Sequence, residues 1–213
     1  MGELQIKRFT LGELQTNCFV VIDPNENNCI IVDPGENPED VLQFVNNRKV
    51  DYILLTHAHH DHIAGLNELR KQTNALVVIH HEEAQWLIDP ILNLSNRQQR
   101  RIVCDWPDIV LYGGEVIKWN DQSIKAIHTP GHSPGSMCYL IGDYLFSGDT
   151  LLEGLIGTTE IPYGDRELLK KSIKDRLFTL DDRVKVLPGH GRETTIGNER
   201  KYNVFPKIKR FSF

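Results

Sequence analysis

No apolar run in these 213 residues approaches the roughly 20 residues that a bilayer-spanning helix requires, so the chain is read as water-soluble. The opening MGELQIKRFTLGE alternates polar and apolar residues and has no apolar core of the kind a secretory signal carries. Cysteine is scarce and scattered. Cys18, Cys29, Cys104 and Cys138 form no CxxC pair, and they read as buried, reduced thiols of a cytoplasmic protein. Basic charge is not in excess: 24 Lys and Arg against 29 Asp and Glu give a net charge of −5, so nothing global attracts nucleic acid or an anionic membrane. Low-complexity linkers, repeats and breaks in composition are also missing, and residues 1–213 are therefore read as one domain.

What is present is a pattern of short runs. Residues 4–10, 18–23 and 28–33 read as strands, and PEDVLQFVNN as a helix with proline in its first turn. YILL reads as a buried strand, IAGLNELRKQ as a helix, ALVVI as a strand and HEEAQWLI as a short helix. Residues 90–112 follow neither period. SIKAIH, SMCYLIG and DYLFSG form a second cluster of strands, with Gly142-Asp143 as a hairpin turn. RELLKKSIKDRLFTL has helical spacing, and VKVLP reads as a closing strand. Two clusters of strands interleaved with helices lack the strict alternation of a doubly wound parallel sheet.

Four of the nine histidines fall within six positions, in THAHHDHIAG after YILL. In extended chain, residues i and i+2 project to the same side, so His57 and His59 can meet one ion. A helix starting near Asp61 would turn Asp61 and His62 toward a second point. The competing reading, Asp61 as a helix cap among solvated histidines, accounts for one aspartate but not for the repetition. Two ions need further ligands. Three later motifs share a design of strand, small residue, then ligand: His132 in IHTPGHSPG, Asp149 in YLFSGDT and His190 in VLPGHG. Glycine there allows close backbone approach and proline fixes the exit from the strand. Each motif alone is a common turn; their succession after HxHxDH is specific.

THAHHDH, TPGHSPGS, FSGDT and LPGHG, with QTNCFVV and VDPG upstream, resemble the metallo-β-lactamase superfamily and, within it, the short bacterial glyoxalase II-like branch. The resemblance implies an αββα sandwich, two mixed β-sheets packed face to face with helices outside. It implies that His57, His59 and His132 hold one metal and that Asp61, His62 and His190 hold a second. Asp149 would bridge them beside a shared hydroxide, making Asp61 and Asp149 the carboxylates on which the chemistry depends. Two divalent ions follow, zinc with iron or manganese also compatible. The implied activity is hydrolysis of hydroxyacylglutathione or a related small thioester, because a thiolate leaves without an acid and none is evident. Alternatives are a mononuclear iron persulfide dioxygenase, or a lactone or phosphodiester hydrolase. No nucleic-acid or membrane partner is expected.

Asp33 in VDPG reads equally as an orienting residue behind the metal loop or as a turn aspartate. His60 is expected to point away from the metals, His80 and His81 to serve a strand-to-helix cap, and His128 to be structural. Thr158, in GTTE, stands where relatives of this branch carry an arginine, and Tyr163 reads as an exposed loop residue. Only 23 residues follow His190, too few for the helical domain that binds glutathione in full-length glyoxalase II. The basic tail KYNVFPKIKRFSF, with Lys201, Lys207, Lys209 and Arg210, reads either as a solvated segment pinned by Phe205 or Phe211 or as an attractor of anionic substrate.

Overall fold

Alternation of side chains across two sheets organises residues 4–205, the part of the chain that the computed structural model describes. The first sheet keeps chain order: β1 (Gln5–Leu11), β2 (Thr16–Asp23), β3 (Asn28–Val32), β4 (Lys49–Leu54), β5 (Leu76–His80) and β6 (Ile109–Leu111). Its first three strands are antiparallel, and β3 to β6 are parallel. The second sheet begins with the antiparallel meander β7 (Val116–Trp119), β8 (Gln122–His128), β9 (Met137–Ile141) and β10 (Tyr144–Gly148). A small ribbon of β11 (Leu151–Leu152) and β12 (Leu155–Ile156) follows. Then β13 (Lys185–Pro188) lies parallel to β10, and β14 (Thr194–Thr195) ends the sheet. Both sheets are mixed, as expected.

Period-two patterning explains the layers. One face of the first sheet (Phe19, Val21, Ile30, Val32) meets Met137, Tyr139, Phe146 and Leu187 of the second. Phe19 and Phe146 pack edge to face at 5.5 Å. The alternate residues Val20, Ile22 and Ile31 face outward and are covered by α1 (Glu39–Val45) and, after the short α2 (His60–Ile63), by α3 (Leu66–Thr73). On the far side, Cys138, Leu145 and Val186 are covered by α4 (Arg166–Ser172) and α5 (Ile196–Tyr202). The result is a metallo-β-lactamase fold with helices on both outer faces.

The structure refines several local readings. The helix expected over IAGLNELRKQ divides at Gly65, where a Cβ would lie 2.4 Å from the Gly35 carbonyl oxygen. HEEAQWLI forms two 3-10 turns, and α4 runs on into a π turn at Ile173–Leu177. Residues 90–108 are irregular apart from one 3-10 turn at Ser95–Arg97. VKVLP is β13, but β14 and not β13 ends its sheet. All four cysteines are buried and unpaired, and burial pushes the Cys29 and Cys104 thiols up to about 12. Among the described residues no helix is long and apolar enough to cross a membrane. Phe205 is buried against Phe178, whereas Lys207, Lys209, Arg210 and Phe211 lie outside the described residues.

Candidate metal centre

Every candidate ligand named from the sequence stands at one edge of the sandwich, where β4, β8, β10 and β13 end. Leaving β4, the chain stays extended through His57 and His59, whose rings come within 4.7 Å, and only then enters α2. His132 sits in the loop between β8 and β9. There Gly131 has φ +136, and a Cβ on it would lie 2.2 Å from the Leu169 backbone nitrogen, so glycine lets α4 press against the loop. Asp149 follows β10 and His190 follows β13. A Cβ on Gly189 would meet Asp149 Oδ1 at 2.4 Å and His62 at 2.7 Å, so only glycine admits both side chains.

Imidazole nitrogens face one another across the site. His132 Nδ1 donates to the Thr158 carbonyl at 2.8 Å, which leaves Nε2 unprotonated in the neutral ring. Thr56 Oγ donates to Asp33 Oδ2 at 2.6 Å and so accepts from His57 Nδ1 at 3.1 Å, leaving His57 Nε2 bare. His62 Nδ1 donates to Asp33 at 3.0 Å and His190 Nδ1 to the Leu14 carbonyl at 3.0 Å. Inward, His132 Nε2 lies 3.0 Å from His59 Nδ1 and 3.3 Å from His57 Nε2. His62 Nε2 and His190 Nε2 are also 3.3 Å apart. The lone pairs of neutral His57 and His132 repel at that separation unless a cation lies between them, and buried His59 Nε2 has no hydrogen-bond partner. Buried Asp149 Oδ1 has no hydrogen-bond partner either. This donor set fits divalent metal ions.

Charge divides the site in two. Burial first, then the neighbouring imidazoles, hold His57 and His59 well below the usual histidine range, and burial lowers His132 too. Burial also opposes a charge on His62, yet Asp61, Asp33 and Asp149 overcome it and raise its pKa to about 10. Asp61 is pulled far below the carboxylate range: burial resists this, but His62, His190 and the Thr16 hydroxyl outweigh it. Carboxylates that raise a buried histidine so far call for positive charge at this point.

Several supporting residues were missed in the sequence. Thr16 Oγ donates to Asp61 Oδ2 at 2.8 Å, and Asn17 Nδ2 donates to the Pro188 and Gly191 carbonyls, strapping the His190 loop. Both stand in QTNCFVV, which carried the signal. Asp33, with φ +53, is at once a turn residue and the acceptor for Thr56 and His62, so both of its readings hold. The Trp86 ring packs 5.8 Å from His59, and Tyr163, although exposed, packs 5.4 Å from Trp86. Glu83 is fully buried and accepts from the amides of Ala58 and Gly135. Burial pushes it up to about 7 against hydrogen bonds from Ser133, Ala58 and Gly135. Nothing in the sequence marks Glu83.

The remaining histidines lie apart. His60 Nε2 faces Gln98 Nε2 at 3.2 Å. His80, Glu82 and His128 also bring ligand atoms near one another, but His80 Nδ1 accepts the Glu82 amide, so the neutral ring carries its proton on Nε2. Its ring stacks on His128 at 4.0 Å, face to face, and this is a cap and a stack. Beside Asp61 opens a cavity of about 340 Å³, lined in part by Leu14, Ile102, Arg97, Arg100, Glu13 and Glu36.

The profile of the Metallo-beta-lactamase superfamily matches residues 11–190. A probable metallo-hydrolase, YqgX of Bacillus subtilis (strain 168), is 40% identical over 156 residues, 72% of this chain and 74% of the relative. The hydroxyacylglutathione hydrolase GloC of Haemophilus influenzae is 33% identical over 164 residues, 74% of this chain and 76% of that protein. In structure the chain is similar to the BLEG-1 B3 metallo-beta-lactamase, with a TM-score of 0.90 at 37% identity, covering 94% of this chain and 99% of the other.

Proposed function

We infer, for a chain that belongs to the metallo-beta-lactamase superfamily, that it is a two-metal hydrolase of hydroxyacylglutathione or a similar small thioester. Asp149 carries the reading. Its carboxylate lies 3.6 Å from His132 Nε2 on one side, and 3.6 Å from both His62 Nε2 and His190 Nε2 on the other. His57, His59 and His132 would hold one ion, Asp61, His62 and His190 the other, and Asp149 both. When bound, such a pair supplies electrophilic activation of a carbonyl and of an attacking water.

The chain's own residues do the rest. Outward hydrogen bonds to Thr56, Asp33, Thr158 and Leu14 orient four histidines; the neutral His57 and His132 rings keep their Nε2 lone pairs free, whereas His62 would give up a proton to an incoming ion. Among the described residues His60 is the histidine next to the ligands, and it is turned to Gln98 with its pKa lowered by burial, so it is not set to protonate a leaving group. A thiolate, whose thiol has a pKa of about 8.5, departs without that help, whereas an amide nitrogen needs it. In the cavity beside Asp61, Arg97 and Arg100 suit the carboxylates of a peptide thiol, and Glu13 and Glu36 its ammonium. The similarity to GloC supports the same substrate class. The similarity to BLEG-1 favours a second reading, opening of a β-lactam amide.

The two are separated by kcat/KM on metal-reconstituted protein for lactoylglutathione, for the same acyl group on a small neutral thiol, and for nitrocefin. The thioesters should lead by at least about a hundredfold, roughly 2.7 kcal/mol of barrier. Faster nitrocefin opening would overturn the reading, as would oxygen uptake on glutathione persulfide with no thioester turnover.

A further inference from the structure

We propose that Glu83 is a positioning residue whose buried carboxylate locks the His57–His59 loop to the His132 loop and thereby sets the geometry of the three-histidine group. The inference rests on the two-metal reading above. Glu83 Oε2 accepts the Ala58 N–H at 2.6 Å, and Ala58 is the residue between the two histidines. Its other oxygen, Oε1, accepts the Gly135 N–H at 2.8 Å, three residues past His132. One side chain therefore ties together the two loops that carry all three imidazoles.

The residue type is dictated by the geometry. Two amides from different loops each need an acceptor, and a carboxylate offers two acceptor oxygens where a carboxamide offers one. The seat is close: a Cβ on Gly135 would stand 2.8 Å from Glu83 Cγ. A second link, Met137 N–H to Thr56 O at 2.7 Å, joins the same segments further from the ligands. No cation pairs with Glu83 among the described residues, and burying an unpaired carboxylate is unfavourable. An apolar side chain would pack there without that penalty, but would leave both amides unsatisfied and the loops free to part. Glu83 touches none of Asp61, His62 and His190, so its effect should be confined to one half of the centre.

The test is zinc affinity against a competing chelator in two backgrounds. His190→Ala leaves the three-histidine group as the intact one; His132→Ala leaves the carboxylate-rich group. Adding Glu83→Gln should weaken zinc roughly 10–100-fold in the first background and leave it within about twofold in the second. Glu83→Asp, which keeps the charge but shortens the reach, should lose affinity in the same background. Leu87→Ala, a core change in the neighbouring turn, controls for general destabilisation and should lower Tm without changing the ratio between backgrounds. Equal losses in both backgrounds, or none in either, overturn the proposal. Wild-type protein that takes up a single ion overturns the two-metal reading instead. Glu83→Gln is then read on that ion in the otherwise unaltered chain, and unchanged affinity sinks the positioning role.

Discussion

His57, His59 and His132 form a neutral set, whereas Asp61, His62 and His190 form a charged set. In the first, burial and crowding keep protons off the rings, and support comes from the Thr158 carbonyl and from Glu83 beneath two loop amides. In the second, carboxylates raise His62 and His190 despite burial, and support comes from Thr16 and Asp33. The neutral half depends on shape: its ligands are ready for a metal, and small displacements undo it. The charged half depends on balance. Without metal its carboxylates are answered by a proton on His62, which an incoming ion must displace.

Asp149 is where the two halves meet, so its removal should have the largest effect. Asp149→Ala takes away a carboxylate that lies 3.6 Å from ring nitrogens of both groups and would leave two cations to repel each other. Metal content should fall from two ions to at most one, and kcat/KM should drop roughly a thousandfold or more, about 4 kcal/mol. The sheets do not depend on this side chain, so Tm of the metal-free protein should barely move. Elemental analysis and thioester turnover together decide it; full activity with one ion would end the two-metal reading.

Asp33 tests how separate the halves are. It accepts from His62 directly and from His57 through the Thr56 hydroxyl, and it also takes the Thr56 amide. An asparagine can match only some of these donors. Asp33→Asn should weaken metal at both groups, by roughly 10–100-fold at the charged one and less at the neutral one. Measured in the His132→Ala and His190→Ala backgrounds, a larger loss at the neutral group would break the comparison.

The candidate ligands were legible in the sequence as a cluster because each one follows a strand within a short motif, and strand ends in a two-sheet sandwich converge on one edge. QTN was legible as part of a motif, but not as a strap: Asn17 works on carbonyls 171 and 174 residues away, a relation no local pattern encodes. Glu83 failed to register for the same reason, its two amides lying 25 and 52 residues away on either side. The split at Gly65 comes from contact with Gly35, and residues 90–108 take their form from side chains such as Asn93, which donates to the carbonyls of Trp86 and Ile102. Periodicity reports burial on a face; it is silent about backbone groups satisfied from a distance.

The cavity sharpens the comparison, because it borders Asp61 of the charged half and none of His57, His59 and His132. Substrate charge should therefore be read from that side. Replacing Arg97 and Arg100 together by alanine should raise KM for lactoylglutathione about tenfold, with kcat nearly unchanged, and the effect should shrink in high salt. A neutral thioester of the same acyl group should not respond. An equal loss on both substrates would mean that residues 97–100 shape the cavity and do not read charge.

The smallest effect concerns Glu83 in the metal-free protein, and its direction is unusual. Glu83 is pushed from an ordinary 4.5 up to about 7, first by burial, with the Glu82 charge adding to it. Between those two values the native chain holds a proton that the unfolded chain has already released, so stability falls as pH rises from about 4.5 to about 7. A shift of this size corresponds to at most about 3 kcal/mol. Glutamine does not titrate, and it gives up one hydrogen bond worth about 1–3 kcal/mol when left unmade. Metal-free Glu83→Gln should therefore be flatter across this window, and at pH 8 as stable as wild type or more so, by about 1 kcal/mol or 2–4 °C in Tm. The same substitution should weaken zinc at the neutral half. A residue kept only for stability could not show both; loss of stability at pH 8, with the slope unchanged, would return Glu83 to an ordinary structural role.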